Sequence, residues 1–126
     1  DSKGVIFFAA GVFYYFLSSD IQKLFTAMAE RFKGGRLCFD AANKKAVKLM
    51  LKTWVKAAGI TDIDRYFYIN NLDTDLKAWL PEAEISAKGY MLGYYDLKTP
   101  SVSGFFRFLS KVGDGMMKMQ IVKLSF

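Results

Sequence analysis

Val5-Ile6-Phe7-Phe8-Ala9-Ala10-Gly11-Val12-Phe13-Tyr14-Tyr15-Phe16 opens with an unbroken apolar run and closes on two adjacent tyrosines. Five consecutive apolar residues without alternation have the pattern of a parallel strand covered on both faces, so Val5–Ala9 predicts such a strand. A buried phenol needs a hydrogen-bond partner once it leaves water, so Tyr14 and Tyr15 have to be accounted for. In a parallel α/β sheet, ligands bind beyond the carboxyl ends of the strands. There Gly11 lets the backbone turn close to a ligand, and Tyr14 and Tyr15 lie over the crevice with wet hydroxyls. The competing reading packs both rings into the strand–helix loop.

The next segment predicts a helix. Ser19 and Gln22 have the spacing of a capping box, and Asp20 in the first turn suits the positive end of the helix dipole. Ile21, Leu24, Phe25, Met28 and Phe32 recur at helical spacing, and Gly34-Gly35 stops the run. Arg36–Asp40 reads as a second buried strand, which completes a strand–helix–strand unit with a right-handed crossover. Asp40 then falls at a carboxyl end, either as a ligand-binding group or as a plain loop acid. A second helix runs over Lys44–Ala58, capped by Asn43 and stopped by Gly59, with Val47, Met50, Leu51, Trp54, Val55 and Ala58 as its stripe. Lys44, Lys48, Lys52 and Lys56 stand four apart with no acid among them. They read as a contact for an anionic partner, or as a solvated face balanced elsewhere.

Beyond Gly59, Arg65–Ile69 reads as extended and Asp73–Leu80 as a short helix stopped at Pro81. Asn70-Asn71 and Asp73–Asp75 have turn and cap chemistry. Glu84–Tyr95 predicts a long strand with a bulge or close backbone approach at Gly89 and Gly93. Ser103 caps a short helix carrying Phe105, Phe106, Phe108 and Leu109. Lys118–Phe126 predicts a final strand with a bulge near Ile121, antiparallel to the strand before it.

Composition narrows the chemistry. At 126 residues the chain makes one domain, and 52% hydrophobic content excludes a disordered protein. With no histidine there is no Ser-His-Asp or Cys-His chemistry within the chain, and a zinc or iron site is not expected. One cysteine, Cys38 in an apolar run, excludes a disulfide framework and reads as a small buried hydrophobe in a reducing compartment. No apolar run approaches the ~20 residues of a membrane span, and no signal peptide is legible, so a cytoplasmic protein is expected. Neither phosphate-binding glycine motif occurs. Lys88-Gly89-Tyr90 opens like an RNA-binding pattern, from which Met91 and Leu92 depart. A net charge of +6 permits weak attraction to acidic surfaces and specifies nothing. Strand-like residues close to both Asp1 and Phe126 lead us to expect part of a longer protein.

VIFFAAGVFYYF, SSDIQKLFTAMAERF and GGRLCFDA together resemble strand four, its helix and strand five of a class I S-adenosylmethionine-dependent methyltransferase. The closest similarity is to the leucine-carboxyl-methyltransferase-like branch that includes polyketide-synthesis O-methyltransferases, which GGRLCFDAANKKAVKL and MKMQIVKLSF also fit. The similarity spans nearly the whole chain and is densest up to Leu49. It implies an α/β chain, residues 1–126 forming a single partial domain: strand four to strand seven of a Rossmann-like sheet, a parallel strand–helix–strand unit followed by an antiparallel pair. It implies S-adenosylmethionine as cofactor, a small-molecule oxygen as methyl acceptor, Ala10, Gly11 and Tyr15 as cofactor contacts, and Tyr14 and Asp40 at the substrate rim. No catalytic base and no metal ligand carry over. Ala10 stands where many members carry a glutamate, and strands one to three with their glycine-rich loop have no counterpart, so the isolated chain is expected to be inactive. Strand four of that fold lies between strands one and five. Val5–Ala9 would therefore be a bare edge and a route to a homo-oligomer. Membrane and nucleic acid are not expected partners. The alternative is a free-standing basic α/β module that binds an anionic partner through Lys44–Lys56.

Overall fold

In the computed structural model, Ile6–Ala9 (β1) and Arg36–Ala41 (β2) are parallel neighbours, in register from Ile6 with Arg36 to Ala9 with Phe39. The structure describes residues 4–59, 62, 65–93 and 97–126, with the side chains of 53–58 outside the described part. The crossover is helix α1, Ser18–Arg31. The last strand, Gln120–Ser125 (β4), lies antiparallel between β2 and Glu84–Gly89 (β3), so the sheet order is β1-β2-β4-β3. A parallel strand–helix–strand unit followed by antiparallel strands is the α/β layout expected from the sequence.

Residues paired across strands point to the same face. On one face Leu37, Phe39, Val122 and Leu124 are fully buried beneath Ile21, Phe25 and Met28 of α1. Phe67 and Ile69, from the extended segment after α2 (Lys44–Ala58), and Leu76 of α3 (Leu72–Lys77) complete this core. Its centre is aromatic: the Phe25 ring lies 5.2 Å from Phe39, 5.4 Å from Phe13, 6.0 Å from Phe67 and 6.4 Å from Trp79. A second cluster gathers Tyr14, Ala42, Ala46, Val47 and Leu51 at the carboxyl end of β2.

The opposite face departs from expectation. Ile6 is 55% and Phe8 79% exposed, so β1 is covered on one face only. Cys38, paired with Phe8 and Lys123, shares that open face and is half-buried rather than a core residue. An unbroken apolar run records high hydrophobicity without recording whether a second layer exists to cover it.

Local signals fared unevenly. Helix α2 has the expected bounds: the Asn43 side chain accepts from Ala46 N–H at 3.0 Å, and Gly59 ends it at φ +69°. The stripe residues Trp54, Val55 and Ala58 lie outside the described side chains. The Ser19–Gln22 capping box is not formed. Helix α1 starts at Ser18 after Leu17, which bridges to Tyr66, while Ser18 Oγ donates to the Tyr66 carbonyl at 3.1 Å. At α3, Asn71 accepts from Asp73 and Thr74 N–H, and Asp75 accepts from Asn70 and Asn71, as turn and cap chemistry requires. Strand β3 stops at Gly89, short of the expected Tyr95, which lies outside the described residues. A turn follows because Asp114, in helix α4 (Gly104–Gly115), accepts from Met91 N–H at 2.8 Å and Leu92 N–H at 2.7 Å. A Cβ at Gly89 would strike that carboxylate. Ser103 does cap α4, accepting from Phe106 N–H at 3.2 Å. The bulge expected near Ile121 is absent, since β4 keeps continuous register with both neighbours. The chain turns at Lys118, φ +46°, and Met117 and Met119 pack against the second cluster before the strand begins. No described helix is long and apolar enough to cross a membrane.

Candidate functional site

Phe13–Tyr15 folds as a single 3-10 turn, in which Tyr15 and Phe16 N–H donate to the carbonyls of Val12 and Phe13. Three residues per turn send successive side chains about 120° apart. Phe13 therefore enters the aromatic core, Tyr14 enters the second cluster, and Tyr15 faces water at 57% exposure. This resolves the paired tyrosines: they are adjacent in sequence and diverge in space.

Tyr14 is 6% exposed, and its hydroxyl is not wet. It donates to Asp40 Oδ2 at 2.8 Å. The other carboxylate oxygen, Oδ1, accepts from Gly11 N–H at 2.6 Å. Asp40 reaches both because it sits near the carboxyl end of β2, one strand in from β1, where the chain leaving β1 doubles back. Gly11 has φ +64° with nothing within 4 Å of where a Cβ would be. Backbone conformation, rather than crowding, demands glycine there. Burial first, then the hydrogen bond from Tyr14 to Asp40, the carboxylate charge and the neighbouring Tyr90 push the Tyr14 phenol far above its usual range. It stays a proton donor across the physiological range.

Of the residues expected at the site, Gly11, Tyr14 and Asp40 converge. Ala10 is exposed beside them, and Tyr15 points away. Tyr90 was missed. It is carried by the turn that Asp114 shapes, and Gly89 and Gly93 in the sequence hinted at that close approach. The same end of the sheet holds Asn43, whose Nδ2 donates to Met116 O at 2.8 Å, and Asn70, whose carbonyl accepts from Lys118 Nζ at 2.7 Å. Among the described residues no group of three or more His, Cys, Asp and Glu is placed to hold a metal ion. A separate groove of about 500 Å³ lies between α1 and the α3–β3 connection; Ala29, Trp79, Leu80, Pro81 and Phe126 line it, with Thr26, Glu30, Lys33 and Glu82 supplying its polar groups. It has no cluster of reactive groups. Comparison with protein-family models, with curated proteins and with solved structures found no match to this chain.

Proposed function

We propose that the chain is part of an S-adenosylmethionine-dependent O-methyltransferase acting on a small-molecule oxygen. One observation carries this: Gly11, Tyr14 and Asp40 meet at the carboxyl end of the parallel pair β1–β2, where open α/β sheets take their ligands. The sequence resemblance and the antiparallel closing strands support the same reading. Ala10 and Gly11 are exposed and would form one rim of a cofactor site, while the Tyr15 ring points away from it. The Gly11 N–H, the obvious donor among them, is already held by Asp40. With no glycine-rich loop in the sequence, these residues do not by themselves fit the cofactor, and the remainder of the site would come from another segment or chain. The reading includes a homo-oligomer, because β1 ends the sheet, and a cytoplasmic location, where the free thiol of Cys38 stays reduced.

At millimolar S-adenosylmethionine, amide resonances of Ala10, Gly11 and Tyr15 should shift, and Asp40→Ala should abolish the shifts by releasing the Gly11 turn. Silence at all three amides would end the methyltransferase reading. A low-micromolar dissociation constant by calorimetry would instead show a complete site and end the partial-site reading.

The alternative, a basic module for an anionic partner, is favoured by the exposure of Lys45, Lys48 and Lys52 along α2. Lys44 lies 5.8 Å from the centre of the Tyr68 ring, and the Lys56 side chain is outside the described part. Replacing Lys44, Lys48, Lys52 and Lys56 by glutamine should lower the salt needed for elution from heparin, since each lost contact releases fewer counterions. Unchanged retention would remove this alternative.

A further inference from the structure

Among the described residues strand β1 ends the sheet, and its outer edge can be read group by group. Arg36 N–H donates to the Val5 carbonyl at 2.9 Å, so Val5 turns its peptide groups toward β2. Backbone direction alternates along a strand, so Phe7 and Ala9 do the same, while Ile6 and Phe8 turn both N–H and C=O outward. The Ile6 and Phe8 side chains lie on the open face of the sheet, 55% and 79% exposed. Val5–Ala9 contains no charge and no proline, the devices that natural edges use to discourage pairing.

We propose that this edge pairs with the same edge of a second copy, antiparallel about a two-fold axis through Phe7 perpendicular to the sheet. That operator sets Ile6 opposite Phe8 of the second copy and Phe8 opposite its Ile6. Both residues have outward peptide groups, so the two pairs form four backbone hydrogen bonds. The register is self-complementary, which a two-fold interface requires. The axis also keeps the covered faces on one side, so the flank of each α1 meets its counterpart. Phe32 packs edge-on against Phe7 at 5.0 Å, and Val12, Phe13, Phe16, Ile21 and Leu24 line a groove beside α1 in which Asp20 is the one charged residue. Phe8, Phe16 and Phe32 are 79%, 49% and 40% exposed. At roughly 200 Å² per phenylalanine they offer on the order of 300 Å² per chain. Two chains reach about half of the ~1,200 Å² at which stable specific interfaces begin. The strand backbone with Ile6, Val12 and Leu24, 55%, 41% and 43% exposed, adds to this. This dimer gives an edge and a register to the homo-oligomer of that reading and belongs to the chain as described, since strand one would take this edge in the complete fold; cofactor binding is tested separately by the titration.

Sedimentation equilibrium tests it at high micromolar concentration. The chain should be a dimer, with Ile6 and Phe8 amides protected from hydrogen exchange. Phe8→Pro removes the outward N–H and the exposed ring but no inward peptide group, so β1 keeps its pairing with β2 while the dimer gives way to monomer; the dissociation constant should rise at least about 100-fold, as for losing a central aromatic anchor. Phe8→Lys, at a position exposed in the single chain, should do the same with unchanged circular dichroism, and it decides the matter if the proline variant fails to fold. A monodisperse monomer would overturn the proposal. So would a dimer that survives both variants, which would place the interface elsewhere. A chain monomeric alone, whose Phe8 edge is protected only on adding a different polypeptide, would assign the edge to that partner and also overturn it.

Discussion

Phe25→Ala should cost about 3–5 kcal/mol, which is much of the stability of a domain this size. Phe25 has no exposed surface, and its ring touches four others at centroid distances of 5.2 to 6.4 Å. Truncation removes the apolar transfer energy of the ring. It also leaves a cavity that cannot collapse easily, because its walls come from different elements: Phe13 from the 3-10 turn, Phe39 from β2, Phe67 from the extended segment and Trp79 from the turn after α3. Edge-on and tilted aromatic pairs lose a further increment beyond area. Phe105→Ala is the matched control. The same chemistry on a side chain 71% exposed should change stability by no more than about 0.5 kcal/mol. Urea unfolding of both variants reads the contrast. A Phe25→Ala loss below that of Phe105→Ala would mean that the aromatic cluster is not the core.

How much of this was legible beforehand depended on how local the deciding physics is. Asn43 and Gly59 marked the ends of α2 correctly because a cap is chemistry within one turn. The start of α1 was misread because Leu17 and Ser18 are fixed by Tyr66, nearly fifty residues away, while the sequence around Ser19 offered a plausible local cap. The antiparallel relation of the last two strands was readable. The insertion of β4 between β2 and β3 was not, since strand order is decided by long-range pairing that no single segment encodes. At the site, Gly11, Tyr14 and Asp40 were each singled out, but for contact with a ligand. Their contact with one another emerged only when β1 and β2 were set side by side. The 3-10 turn that buries Tyr14 and exposes Tyr15 left no signature beyond the improbable pair of phenols.

Stability should fall as pH rises above the usual phenol range, and Tyr14→Phe should remove one proton's share of that fall. The folded state holds the Tyr14 proton tightly, because burial and then Asp40 both disfavour the phenolate. Unfolding restores an ordinary phenol with a pKa of about 10. A group whose pKa is raised in the folded state contributes its stability in full below the unfolded value. That contribution is lost as pH climbs past it, because the unfolded chain then binds fewer protons than the native one. The loss approaches about 1.4 kcal/mol per pH unit for one proton. The quantity to read is the difference between wild type and Tyr14→Phe in urea unfolding from pH 8 upward. At neutral pH, Asp40→Ala should cost about 1–3 kcal/mol, since it strands a buried hydroxyl without its acceptor. In the Tyr14→Phe background the same change should cost less, because that hydroxyl is gone. Parallel pH curves for wild type and Tyr14→Phe would mean that the phenol opens to water in the native state. The Asp40 carboxylate would then be free to meet a ligand, and the closed Gly11–Asp40–Tyr14 arrangement would be one state of the site.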